Sequence, residues 1–252
     1  MNRYVKRMSI LLLIILILLS IFVFDSLIES KDVNKSIEDF KNRGELIYET
    51  SNTEYYIVRK KYDYEDTSST ILRTFNNNYV GTTGDIYISD RNPTSIFLTR
   101  WISTKAWIGH CGMICSEDGK EMLEISGNLS YEDNEVKKWP NTWLNHQSPR
   151  HIVLRAKQTN NDSKKQILDI SNTLLGKRYN YTFVFGSENR FYCTDLISYI
   201  YDQINININE DKFVTTGSDM ITSENTYIIY YKEECLKNNN TADIVAISNS
   251  LL

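Results

Sequence analysis

Hydrophobic and polar positions alternate along this chain in three distinct ways. From Met8 to Phe24 the residues are almost all apolar. A helix of 17 such residues spans about 25 Å, near the lower limit for crossing a bilayer. Residues 25–44 have a weak helical pattern. Asn34 or Ser36 is expected to cap that helix, Ile37 and Phe40 form its apolar side, and Gly44 ends it. Beyond residue 44 the pattern turns to short β-like runs: Glu45–Thr50, Glu54–Tyr62, Ser69–Phe75, Asp85–Ser89, Ala106–Cys115, Glu121–Ile125 and His151–Arg155. Ser116-Glu117-Asp118-Gly119 reads as the turn of a hairpin. A short helix is expected from Pro93 to Ile102, and residues 127–149 read as a polar loop. A helix capped by Ser163 runs to Leu175, with Gly176 just past its end. The tail offers a strand at Ile204–Ile208, a turn at Gly217–Asp219 and a strand at Tyr227–Tyr231.

A second helix starts at Cys193. Residues 192, 196, 197 and 200 are apolar and share one face, and Thr194 and Asp195 suit a first turn. Cys193 then sits where unpaired N–H groups and the helix dipole favour an anion, which is where a thiol becomes a nucleophile. Such a cysteine needs a base held by a third polar group. The chain has three histidines. His110 lies on an apolar strand flanked by Gly109 and Gly112, and Glu124 lies on the returning strand of the hairpin. His146 and His151 read as surface or structural.

The register of that hairpin decides whether Glu124 can serve. A two-residue turn at Asp118-Gly119 puts Glu124 opposite Met113, on the face away from His110. A three-residue turn at 117–119 puts it opposite Gly112, on the His110 face. Ser126 or Asn128 would be the substitutes if the first register held.

Composition narrows the classes. The chain has 252 residues, enough for one good-sized domain plus an appendage. Residues 1–24 carry three bases and no acid, which leaves 25 bases against 32 acids in the remainder. An acidic domain is a poor partner for nucleic acid. No Walker loop, G-x-G-x-x-G or C-x-x-C pair occurs. The four cysteines are too few for a disulfide scaffold. Cys111 and Cys115 on one strand stand about 13 Å apart, too far to bond to each other. A bridge from Cys235 to either stays open beside the reading of all three as buried thiols. Strand alternation also turns His110 away from Cys111 and Cys115, which argues against zinc. No metal or cofactor is expected. Trp139 and Trp143 read either as a sugar or lipid platform or as the packing of their own loop.

Five motifs in order carry a resemblance. Gly84-Asp85-Ile86 opens a strand, and Gly109-His110-Cys111-Gly112-Met113-Ile114 stands in a "G-H-V-G-I-V" place, followed by Leu123-Glu124-Ile125. Then come Gly176-Lys177-Arg178-Tyr179-Asn180 and Phe191-Tyr192-Cys193-Thr194-Asp195-Leu196-Ile197, and the Ser218-Asp219-Met220-Ile221 segment also fits. Over about residues 80–231 the chain resembles the circularly permuted branch of the NlpC-type papain-like superfamily, the YiiX-like proteins, relatives of lecithin retinol acyltransferase. Cys111 and Met113 stand where valine and isoleucine are usual, and Thr194 where serine is usual.

The resemblance implies an α+β fold, a central antiparallel sheet or barrel packed by helices. It implies Cys193 as nucleophile, His110 as base and Glu124 as its orienting partner, with Tyr179 and Tyr192 lining the cleft. The implied activity is that of a cysteine hydrolase cutting an amide bond through a thioester, with cell-wall peptide as substrate. A lipid or thioester acyl hydrolase or acyltransferase, or a binding module without activity, are the alternatives. The expected organisation is a cytoplasmic basic end (1–7), a transmembrane anchor or signal segment (8–24), a helical stalk (25–44) and the permuted papain-like domain (45–252). The basic end places the domain outside the membrane. An uncleaved anchor is preferred to a cleaved signal peptide because Phe22-Val23-Phe24-Asp25 is a poor cleavage context.

Overall fold

A computed structural model describes residues 3–65, 80–90, 107, 109–127, 134–145, 149–182, 188–209, 214–237 and 240–248. The expected strand at Ser69–Phe75 and helix at Pro93–Ile102, along with His146 and Asn128, lie outside these.

A nine-stranded sheet carries the fold, in the order β1-β2-β11-β10-β7-β3-β4-β5-β6. Its strands are β1 (Gly44–Glu49), β2 (Thr53–Val58), β3 (Ile86–Ser89), β4 (His110–Ile114), β5 (Glu121–Glu124), β6 (Lys137–Pro140), β7 (Arg150–Ala156), β10 (Thr226–Lys237) and β11 (Asn240–Ser248). Two short strands, β8 (Arg178–Tyr179) and β9 (Arg190–Phe191), pair parallel to each other. The helices are α1 (Arg3–Asn42), α2 (Asn161–Leu174), α3 (Cys193–Gln203) and α4 (Gly217–Thr222). The expected sheet was antiparallel. All neighbours in the large sheet are, except that β11 pairs parallel with β2.

Strand alternation gives each sheet face its own core. On the helix side, Ile86, Ile88, Cys111, Met113, Leu123, Ile152 and Leu154 pack with Ile167 of α2, Ile197 and Ile200 of α3 and Met220 of α4. On the other side, Tyr87, Ile114, Met122, Trp143 and Val153 form a second cluster.

Several elements differ from expectation, each for a physical reason. The segment 127–149 contains β6, whose Lys137-Lys138-Trp139-Pro140 has no apolar alternation because it is the last strand of the sheet. Ile204–Ile208 is not a strand. Asn205 has φ 60°, which breaks an extended run, while Ile206 and Ile208 are buried. Gly217–Asp219 is not a turn but the start of α4, with Thr216 and Asp219 in a reciprocal capping box. Asn160, not Ser163, caps α2; Ser163 is the third helical residue and returns the bond to Asn160.

The expected stalk is not a separate helix. Residues 25–42 continue α1 without a break, and Val33, Ile37 and Phe40, spaced one helical face apart, are buried. That face packs on α4 and β10. Residues 8–24 also lie within α1, although the side chains at 15, 18, 19 and 21–24 are outside the described residues. Among the described residues no helix is long and apolar enough to cross a membrane.

The Gly84-Asp85 motif is where the elements cross. Asp85 accepts from Arg155 Nε at 2.7 Å and from the other guanidinium nitrogen at 2.5 Å, both residues being buried. Asp85 also accepts from the Thr82 amide at 2.8 Å. Its backbone and that of Gly84 bond Ile114 of β4 at 2.9 Å each. Gly84, at φ 91°, turns its carbonyl to the Tyr201 hydroxyl of α3 at 2.5 Å. The motif thus joins β4, β7 and α3. Burial penalises charge on Arg155, but the Asp85 carboxylate outweighs it and holds the guanidinium pKa above its ordinary value.

Removing one charge of such a pair leaves the other buried alone. Arg155→Ala is expected to cost about 3–5 kcal/mol in urea unfolding. A loss below about 1 kcal/mol would show that the pair does not hold these elements together.

Candidate active site

The position expected of the nucleophile is built by a clamp around the start of α3. The chain reaches it through β9, then turns extended at Tyr192, which has no side-chain cap bond. The Tyr192 hydroxyl instead accepts from the Thr215 amide at 3.0 Å. Thr194 Oγ1 donates to the Thr215 carbonyl at 2.6 Å, and Asn209 holds the Thr215 hydroxyl at 2.8 Å. Thr194 thus acts through its hydroxyl, a group that serine shares. Cys193 is the first residue of the helix and is half-buried. Helix geometry leaves its N–H without an intrahelical acceptor, and the dipole adds partial positive charge there. Asp195, in the same turn, is pushed up to about 7 by burial and by Asp202, so at neutral pH it is only partly charged.

His110, the expected base, lies at the start of β4. Met113 pairs with Leu123 and Ile114 with Met122. The next step along that register sets Glu124 across from Gly112, on the His110 face. The hairpin therefore has the three-residue turn at 117–119, with Gly119 at φ 73°. His110 Nε2 lies 3.0 Å from Glu124 Oε2. Cys193 lies close enough to the His110 ring to act on its charge. Burial opposes charge on His110, but the hydrogen bonds and charges of Cys193 and Glu124 outweigh it, and the imidazole pKa is pushed up to about 10.

A further support was not legible in the sequence. Trp143 stacks on the His110 ring at 5.1 Å and 18°. A Cβ at Gly112 would come within 3.0 Å of the Trp143 ring. The room left by Gly112 is thus filled by tryptophan, which sits behind the histidine. Of the two tryptophans in the loop, Trp143 is buried and Trp139 is exposed. A pairing of Gly112 with an aromatic ring nearby in space gives no periodic signal, so the sequence could not show it.

The two tyrosines divide. The Tyr179 ring lies flat on Gly127, where an added Cβ would come within 2.5 Å of it. Burial, and then the charge of Cys193, raise its pKa. Tyr192 is 3% exposed, and its hydroxyl is held by the clamp rather than presented to a cleft. All four cysteines are free thiols. Burial pushes Cys115 up to about 11 and raises Cys111 well above the ordinary thiol range. His151 is buried on β7. Among the described residues no group of three or more histidine, cysteine, aspartate or glutamate side chains could hold a metal ion.

The profile of the permuted papain-like amidases, the YaeF/YiiX or C92 family, matches residues 82–246. The chain belongs to that family. It is a hydrolase of the cysteine peptidase and amidase type. The matched span of this permuted amidase contains His110, Glu124 and Cys193 in that order. A crystal structure of the metalloprotein yiiX from Escherichia coli O157:H7 is similar at 18% identity and a TM-score of 0.40, over 58% of this chain and 88% of that one. No curated protein matches the sequence significantly.

The raised imidazole pKa of this amidase makes a pH prediction. His110 is protonated at neutral pH, and the stabilisation from its two partners is complete below its unfolded pKa of about 6.5. It is lost as pH rises through about 10. With three histidines in the chain, the His110 ring resonance can be followed by NMR. It should titrate near 10 in the native protein, and Glu124→Gln should lower that midpoint by at least one unit. An unchanged midpoint in the variant would remove Glu124 from the charge balance.

Proposed function

We propose that this permuted papain-like amidase cuts an amide bond in cell-wall peptide, with Cys193 as nucleophile, His110 as proton carrier and Glu124 as the residue that orients the imidazole. The observation that carries the reading is His110 Nε2 held 3.0 Å from Glu124 Oε2, with Cys193 at the helix start near the same ring. The imidazolium next to the thiol favours the thiolate form. The Cys193 sulfur adds to the carbonyl carbon, and the Cys193 N–H at the helix start stabilises the oxyanion. The C–N bond then breaks, and His110 gives its proton to the leaving amine. The resulting thioester is attacked by water, whose proton passes to His110 as the S–C bond breaks. Carboxylate leaves and the thiolate–imidazolium pair is restored.

Peptide is taken over a lipid acyl chain because the family is one of amidases. The membrane assignment rests on residues 8–24. The described side chains of this run are exposed, Met8 at 70% and Leu12 at 60%. In water such a surface has nothing to cover it, and a bilayer supplies the cover. The basic end before it puts the domain on the outer side.

Two measurements test this. Cys193→Ala should lower amide hydrolysis of cell-wall peptides by about a thousandfold or more while leaving the fold intact. Retained activity would end the nucleophile assignment. The full chain should sediment with membranes and resist alkaline carbonate, whereas a chain lacking residues 1–24 should not. Recovery of the natural protein as a soluble chain without residues 1–24 would replace the anchor by a cleaved signal.

A further inference from the structure

We propose that Trp143 is a positioning residue for His110: its indole face fixes the plane of the imidazole and favours the imidazolium over the neutral ring. The inference rests on the amidase reading above and adds a residue to its machinery.

The hydrogen bond to Glu124 holds the His110 ring at one atom, Nε2. A ring held at one atom can still swing about it. The indole removes that freedom. Its plane lies 18° from that of the imidazole, and the two centroids are 5.1 Å apart, a stacked pair. A cation within about 6 Å of a tryptophan centroid is drawn to the ring face, an attraction that a neutral imidazole lacks. The titratable groups whose charge acts on His110 are Glu124 of β5 and Cys193 of α3. Cys111, its neighbour on β4, packs in the helix-side core. Trp143 carries no charge, so it adds to the hold of Glu124 on the protonated ring without competing for the proton.

The indole is itself held in place. It is buried, and Tyr87 meets it edge-on at 6.0 Å and 69°. The Tyr87 hydroxyl is fixed in turn by accepting from the Val80 amide at 2.7 Å. Gly112 leaves the space, since a Cβ there would come within 3.0 Å of both the indole and the Met122 methyl. Trp143 opens a short 3₁₀ turn, Trp143–Asn145, and Asn141 anchors the approach to it. The buried Asn141 side chain accepts from the Trp143 amide at 3.4 Å and donates to the Gly119 carbonyl at 2.8 Å. Its own amide donates to the Lys120 carbonyl at 2.7 Å. Gly119 belongs to the turn that sets the register of Glu124. One asparagine thus ties the group on the face of the imidazole to the turn that places the group at its edge.

The test uses the full chain in detergent, as native protein, Trp143→Leu and Trp143→Phe. Leucine fills much of the space without a π face, and phenylalanine keeps a weaker face than tryptophan. The titration midpoint of the His110 ring is read by NMR, and the fold is followed by thermal unfolding. Trp143→Leu should lower the midpoint by about half a unit or more, and Trp143→Phe by less. In hydrolysis of cell-wall peptide, Trp143→Leu should lower kcat about tenfold or more with KM little changed, because the buried indole acts through the imidazole.

An indole that only packs would lower the unfolding temperature in both variants and leave the midpoint in place. An unmoved midpoint in folded Trp143→Leu therefore overturns the proposal. Equal shifts in the two variants overturn it as well, since they follow the lost volume and not the lost face. If Trp143→Leu does not fold, Trp143→Phe decides alone: a lowered midpoint supports the role and an unmoved one ends it. The midpoint needs no turnover. Should Cys193 prove not to be the nucleophile, the amidase reading fails while the hold of Trp143 on His110 is still decided by the titration.

Discussion

The buried ion pair of Asp85 with Arg155 is the constraint on which the rest of the structure depends. Two charges leave water there, a cost that only near-ideal geometry offsets. The guanidinium meets both carboxylate oxygens, and a backbone amide adds a third bond. Because the carboxylate position is fixed, so is the turn at Gly84, and with it the carbonyl that receives Tyr201. Tyr201 lies eight residues into the helix that Cys193 begins. The long axis of that helix, and thus the height of its first residue over the sheet, is referred back to the ion pair. The Gly-Asp motif is a structural reference point rather than a piece of the chemistry.

A second joint aligns the two halves of the site across the sheet. Residues 215–217 touch both. Thr215 closes the clamp on Tyr192 and Thr194, while Gly217 lies so close to the Trp107 backbone that a Cβ there would come within 2.4 Å of its carbonyl oxygen. Trp107 has φ 51° and stacks under the Arg150 guanidinium at 4.4 Å. It stands three residues before His110. Histidine and cysteine are thus spaced by one short segment that arrives late in the chain. The order of the elements along the sequence has little bearing on this. What matters is that the same contacts close, which is why a permuted chain can hold a papain-like arrangement.

Much of the site was legible because it follows from period-two alternation and from helix-start chemistry. The position of Cys193 at a helix start, the hairpin after His110 and the dependence of Glu124 on a three-residue turn could each be argued from residue spacing alone, and Gly119 at positive φ supplies the physical means for that turn. The parts that were missed lack periodic signals. β6 carries two lysines and a proline, which suit a sheet edge and conceal a strand. β11 opens on Asn-Thr-Ala-Asp before a four-residue apolar run, and is held along its whole length by β2 and β10 on either side. Val33, Ile37 and Phe40 had the right spacing, but their partners on α4 and β10 are far away in sequence. Tyr192 shows a different limit. Its place next to the nucleophile suggested a cleft residue, whereas its hydroxyl had a backbone amide to hold.

The parallel pairing of β2 with β11 has a consequence for the way this molecule comes into being. Among the described strands β1 and β2 join the rest of the sheet through β11, which follows β2 by nearly two hundred residues. Synthesis delivers the first strands long before the partner that completes them. Until residue 248 is available, the early hairpin keeps an open edge along β2, with Leu46, Ile47 and Tyr48 of β1 half-exposed even in the finished fold. Closing the sheet also means joining segments nearly two hundred residues apart, which makes for slow assembly. The interval before β11 docks is thus when this hairpin is most open to edge-to-edge pairing with another chain.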